Sequence, residues 1–143
     1  MKKIIIFMGI IVIIVCTVFY MYMNYKAKYR MASEQNKLFD IYIKEEMNGS
    51  TIATLINKAI DYNTKNKVEK DNKGNYIDNK KDSININIEF IDNNSVYTME
   101  KIYNTGINKF VEYYSNIKFK CVDIKYHEST KKIKYLYFKQ VSD

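Results

Sequence analysis

The 143-residue chain has no proline and no tryptophan, one histidine, two cysteines and four glycines. Each shortage closes off a class of chemistry. With His127 as the sole imidazole, a metal site would have to be built almost wholly from carboxylates and one thiol. Cys16 lies inside an apolar run and Cys121 far along the chain, so no disulfide framework is expected. Four scattered glycines form no phosphate-binding loop, and the sequence has neither a nucleophile elbow nor paired carboxylates in an apolar run. The chain is therefore expected not to be an enzyme, and to hold no cofactor and no metal.

The formal charge of +7 suggests nucleic acid until it is divided along the chain. Lys2, Lys3, Lys26, Lys28 and Arg30 face no acid within residues 1–30, which leaves 18 basic against 16 acidic side chains in the rest. A soluble part so nearly balanced lacks the basic footprint that phosphate recognition needs, and no nucleic-acid partner is expected. Ile, Lys, Asn and Tyr make up about half of the residues. Such a bias is that of an AT-rich genome and weakens any inference from Lys or Asn enrichment.

What the sequence does have is one long charge-free run, Ile4 to Met23. As a helix rising ~1.5 Å per residue it covers the ~30 Å hydrocarbon core of a bilayer. Its aliphatic and aromatic residues favour insertion by roughly 4 to 7 kcal/mol. The run is longer than a signal-peptide core and is followed by the large residues Tyr20, Met21, Tyr22 and Met23, so a retained anchor is expected. Val15 before Cys16 argues against a lipoprotein. Tyr20, Tyr22 and Tyr25, followed by basic residues, read as an interfacial belt. The short tail 1–3 stays inside, and the domain is expected outside, at the cell membrane.

From Tyr25 to Met47 no glycine or proline interrupts the chain, so an amphipathic juxtamembrane helix is predicted over 24–47, continuous with the span. Asn48 and Gly49 would close it in left-handed conformations. The remainder, 48–143, suits one small domain. Ile52, Leu55, Ile56, Ala59 and Ile60 predict a helix over Thr51 to Tyr62, and residues 63–81 a mobile polar segment turning at Gly74. Ser83 to Ile91 alternates as a half-buried strand. Asp92, Asn93 and Asn94 turn the chain, and Met99 to Tyr114 has helical period despite Gly106 on the stripe. Runs Ile117 to Tyr126 and Lys132 to Gln140 form a closing hairpin, with a change of apolar parity at Cys121 and Val122 that predicts either a bulge or a strand covered on both faces. The fold class is α+β with a mainly antiparallel sheet.

Other features yield less. Cys121 reads as a buried hydrophobe and His127 as an exposed loop-edge residue; about 20 Å of extended chain between them rules out a dyad. Lys73 and Lys80 would fall on ligand positions of a calcium loop around Gly74, which excludes it. Glu45 and Glu46 read as a solvated face. The acceptor patterns at Asn48 and Asn93 are too short to argue from.

An apolar helix continuing into an amphipathic one, then an antiparallel sheet domain, resembles the layout of type IV pilins and pseudopilins. Those families have a glycine just ahead of the apolar stretch and a glutamate early in the mature chain. Here Gly9 lies inside the run and Ile14 stands at the glutamate position, so the resemblance covers layout alone. The segment GSTIATLINKAIDYN, Gly49 to Asn63, is similar to one found after the anchor in small membrane proteins of low-GC Gram-positive bacteria. The expected function is a non-enzymatic, membrane-anchored component of a cell-envelope assembly, with the lipid bilayer, other envelope proteins or further copies as partners. The alternative is an extracytoplasmic binding or sensing module for a peptide or glycan.

Overall fold

The structure is a computed structural model and describes residues 1–92 and 95–142. Helix α1 runs Lys2–Asp40, 39 residues or ~58 Å of rod. It is the one described helix long and apolar enough to cross a membrane by length and composition, and none of its apolar window is buried by the rest of the chain. Only from Ala32 onward does it enter the domain, burying Ala32, Gln35 and Phe39.

The helix stops at Asp40 and not at Met47, the first correction to the sequence reading. No local breaker ends it. Tyr42 and Met47 are both buried, and bringing both into the core takes the chain through tight turns, with Tyr42 N–H donating to Phe39 O at 2.9 Å. Tertiary burial outweighs helix propensity here. Glu45 and Glu46 stay exposed on the connecting bend. Strand β1, Met47–Asn48, follows and pairs antiparallel with Phe119 and Lys118.

Helix α2, Gly49–Lys65, buries Ile52, Ala53, Leu55, Ile56, Ala59 and Ile60 along one face. Gly49 begins this helix and does not close the previous one. A Cβ on it would lie 2.0 Å from the carbonyl oxygen of Tyr114, so its small size serves close packing. Asn48 gives no side-chain cap. The exposed first donors of α2 are met by the chain after α3, Gly49 N–H on Ile117 O at 2.9 Å and Ser50 N–H on Ser115 O at 3.4 Å.

Residues 66–84 are pinned at several points. Val68 and Tyr76 are buried, Tyr76 N–H donates to the buried Glu100 carboxylate at 3.2 Å, and Asp71 Oδ1 gathers the N–H groups of Lys73 and Asn75. Gly74 takes the positive φ of 84° that the turn requires. Strand β2, Asn85–Glu89, keeps the expected alternation, with Ile86 and Ile88 buried and Ile84 and Phe90 continuing the row. The predicted turn residues Asn93 and Asn94 lie outside the described residues. A short strand β3, Val96–Thr98, then pairs back on β2.

Helix α3, Met99–Tyr114, is capped by Thr98, whose hydroxyl accepts from Lys101 N–H at 3.3 Å. Gly106 breaks it into two pieces at φ 114°, ψ 114°. Strands β4, Lys118–Tyr126, and β5, Ile133–Gln140, form the hairpin, and the register slips between Cys121 and Asp123, the bulge of the two alternatives that the parity change predicted. The sheet order is β1-β4-β5-β2-β3. It is mixed: β5 pairs antiparallel with β4 and parallel with β2. Helices α2 and α3 cover one face over a core centred on Phe39, Leu55, Ile56, Ile86, Met99, Phe119, Leu136 and Phe138.

Candidate functional site

The topology gives the domain two ends. Gln35 and Asn36 of α1 bond to Ile133 and Lys131 at the start of β5. By the time the chain reaches Met47 it lies beside Phe119, opposite the last residue of β5. The turn between β4 and β5 therefore sits at the end nearer the apolar rod. The aromatic residues around Phe90 and Phe119 sit at the far end, about 25 Å away along β5.

At the far end the break at Gly106 opens a cleft of about 230 Å³. Its floor is Phe90, Phe110 and Tyr114, with Phe90 4.7 Å from Tyr114 and Phe110 stacked on Tyr114 at 5.3 Å between ring centroids. Lys101, Lys109, Tyr97 and Tyr113 form the rim. The Lys101 ammonium lies 4.0 Å from the centre of the Tyr97 ring, a cation–π contact. Burial, with the nearby charge of Asp92, pushes the Tyr114 hydroxyl above its ordinary pKa, so it stays a neutral donor. Faces of aromatic rings beside ammonium groups suit a flat or apolar body that carries a polar or anionic group. The volume is below that of a drug-sized site, so the part of an occupant seated within it is about a single ring or one or two side chains. Among the described residues, the lining of the cleft has no carboxylate, imidazole or thiol.

At the near end a polar cluster replaces the exposed edge predicted for His127. That residue is 1% exposed, a correction to the sequence reading. Residues 78–83 cover it. His127 Nε2 lies 2.7 Å from Ser83 O. A carbonyl only accepts, so Nε2 carries the hydrogen and donates. Nδ1 faces Asp78 Oδ1 at 3.8 Å, beyond hydrogen-bond range, and has no hydrogen-bond partner among the described residues. Asp78 also pairs with Lys134, and Asp82 with Lys132. Although partial burial raises the Asp78 carboxyl, bonds from Lys134, Lys80 N–H and Ser83 Oγ outweigh it and hold the pKa at about 2.

Two more bonds join the turns: Ser129 Oγ donates to Lys80 O at 3.0 Å, and Thr130 Oγ1 to Lys81 O at 2.8 Å. Asn79 Oδ1 accepts the N–H groups of Lys81, Asp82 and Ser83. The two turns are joined by hydrogen bonds into one unit.

Cys121 is half-buried, and desolvation raises its thiol pKa, the opposite of what a reactive thiolate needs. It lies at the far end of β4 from His127. On the sheet face away from the helices, Tyr137 donates to Glu89 at 2.6 Å and Lys139 reaches the same carboxylate at 3.0 Å. That bond pushes Tyr137 up to about 12. Among the described residues no group of three or more His, Cys, Asp or Glu is placed to hold a metal.

Sequence reasoning named Phe110 and Tyr114 as a helical stripe and missed the cleft. The one available signal was the polar line Lys101, Thr105, Lys109 beside that stripe, at i, i+4 and i+8 on α3. In comparisons with protein-family models, curated proteins and solved structures, nothing matches this chain.

Proposed function

We propose that the chain is a non-catalytic, single-pass membrane-anchored component of a cell-envelope assembly, pilin-like in layout, with its domain outside the cell membrane. The continuity of α1 carries this reading. One helix leaves its apolar part wholly uncovered and then buries Ala32, Gln35 and Phe39 in the domain. A patch of that size needs a cover, and lipid is the cover that its length fits. A removable signal sequence satisfies the same length test. The large residues Tyr20 to Met23 and the unbroken passage of the helix into the domain favour retention.

Because no flexible linker separates rod and domain, the domain is held at a fixed height and angle, which suits a part that docks with neighbours. Alkaline carbonate extraction with N-terminal analysis tests the anchor: a product left in the pellet with its apolar run intact is expected, and release or a start beyond Met23 refutes it. Crosslinking in intact cells tests the assembly. Recovery of monomer alone would refute that half.

The cleft at Gly106 favours a second reading, an extracytoplasmic binding module for a peptide or glycan. Its aromatic floor and lysine rim support one sugar ring or one or two side chains as occupant. Titration of the full chain in nanodiscs with envelope glycan fragments and short peptides tests this, read by ring resonances of Phe110 and Tyr114. No shift with any of them removes the reading.

A further inference from the structure

We propose that the two joined turns at the rod end of the domain, residues 78–83 and 127–132, form a docking surface for anionic lipid headgroups, so that the domain rests on the bilayer that anchors it. This rests on the reading of α1 as a membrane anchor.

The height is right. A groove between α1 and the hairpin is lined by Tyr29, Ala32, Ser33 and Asn36 on one side and Tyr126 and Lys131 on the other. β4 runs toward the rod end, so the turn beyond Tyr126 is the part of the domain nearest the span. From Met23 to Tyr29 the helix rises ~9 Å. Headgroups occupy roughly 5 to 7 Å of that on each side of a bilayer. The turns thus lie within the ~8 Å Debye length of the headgroup charges at physiological salt.

The charge is right as well. Lys80, Lys81 and Lys131 are exposed, and none has an ion-pair partner among the described residues. Asp78 and Asp82, the acids of the same turn, are consumed by Lys134 and Lys132. Arg30 is matched by Glu34. Lys26 and Lys28 add two further exposed cations on the rod, and Glu128 is the one exposed acid within the two turns. Lys80 and Lys131 also hold positive φ, 62° and 59°, where asparagine or glycine fits more easily. The hydrogen bonds joining the turns fix these backbones and present both lysines from turn tips.

Each basic side chain close to an anionic surface strengthens attachment about fivefold, so Lys80, Lys81 and Lys131 together favour the docked state by on the order of a hundredfold. A phosphoanion free in solution would meet the same lysines, but nothing there is built to enclose one. Three exposed lysines on two joined turns fit a surface.

Lysine footprinting of the full chain tests the proposal, in nanodiscs of phosphatidylcholine alone or with added phosphatidylglycerol. Lys80, Lys81 and Lys131 should acetylate several-fold more slowly in the anionic discs, with Lys118 and Lys120 at the far end unchanged. Protection should vanish in ~1 M salt, where the Debye length is about 3 Å. In K81Q/K131Q, Lys80 should return to its rate in neutral discs.

Equal rates in the two discs, or equal slowing at Lys118 and Lys120, overturn the docking surface while the anchor stands. A chain that does not remain with the discs at all refutes the anchor instead, so the two failures are distinguishable. Slowing that free phosphate reproduces in neutral discs would mark an ion site and overturn the lipid assignment.

Discussion

Gln35 and Ile133, 98 residues apart, meet as though the helix side chain were a neighbouring strand. Ile133 N–H donates to Gln35 Oε1 at 3.1 Å, and Gln35 Nε2 reaches Ile133 O at 3.5 Å. Strand β2 begins to pair only at Asn85, opposite Tyr135, so Ile133 lies beyond its reach with both backbone groups buried. The amide supplies the partner that the sheet lacks. Asn36 reinforces it, accepting the same N–H at 2.8 Å. This pair turns the apolar rod and the domain into one body.

Gln35→Leu should therefore loosen the rod without unfolding the sheet. Ile133 O loses its partner and its N–H keeps only Asn36, at a cost of about 1 to 2 kcal/mol. Q35L/N36L strands both groups, for about 2 to 4 kcal/mol. Amide exchange of the full chain in nanodiscs checks this: the Ile133 amide should exchange faster in the single variant and faster again in the double, with Leu136 little changed. Unchanged exchange at Ile133 would mean that water satisfies the site.

Asn63 does the same for α2. Fully buried, it donates to Ile84 O at 2.8 Å and accepts Ile84 N–H at 2.9 Å, tying the end of the helix to the start of β2. Asn63→Leu, which keeps the branching at Cγ but is bulkier and has no hydrogen-bonding atoms, should cost about 2 to 4 kcal/mol because two buried backbone groups go unpaired in a site with no spare room. Denaturant unfolding in detergent gives the number. A loss below about 0.5 kcal/mol would indicate water in place of the amide.

How much of this could be read beforehand depended on whether the cause was local. Helix α3 was legible over its full length, α2 and β2 within a few residues, because Ile52 to Ile60 and Ile84 to Phe90 repeat with clear periods. The slip at Cys121 was one of two outcomes legible from apolar parity. Strands β1 and β3, with two and three residues, are too short to have a period. The parallel pairing of β2 with β5 was hidden, since it joins segments about 50 residues apart. Burial of His127 was hidden for the same reason: its cover, residues 78–83, comes from elsewhere in the chain. The two lysines of the far cleft looked like an ordinary solvated helix face, and only the break at Gly106 turns them into a rim.

The two informative glycines should fail differently when changed to alanine. At Gly49 the new methyl meets Tyr114 O at 2.0 Å, which pushes α2 off the end of α3 at a cost of about 1 to 3 kcal/mol or more. At Gly106 there is room, the nearest atom being Lys109 Cγ at 3.9 Å, but φ is +114°, a conformation that strains any L side chain by about 1 to 3 kcal/mol. Gly106→Ala should relieve that strain by straightening α3 and reshaping the cleft. Ring resonances of Phe110 and Tyr114 should therefore move strongly in G106A. In G49A they should follow the general loss of stability, measured by thermal unfolding. Equal spectral effects would refute the distinction.

Acid should release the near-end cluster through Asp78. Its folded pKa is about 2, against about 3.9 for an unfolded aspartate, so the folded state binds the proton less readily. The carboxylate thus contributes stability that is fully present above about pH 4 and is lost as pH falls toward 2. Because the group is partly solvated, the contribution is on the order of 1 to 2 kcal/mol and not the full value of the shift. Asp78→Asn keeps the shape and removes the charge. The stability difference between wild type and D78N, from denaturant unfolding of the full chain in detergent, should be constant from pH 7 to about 5 and shrink steadily below about 4. Other carboxylates titrate in both proteins and cancel in the difference. A difference that stayed flat down to the lowest accessible pH would mean that Lys134 and Ser83 do not hold Asp78 as the geometry requires.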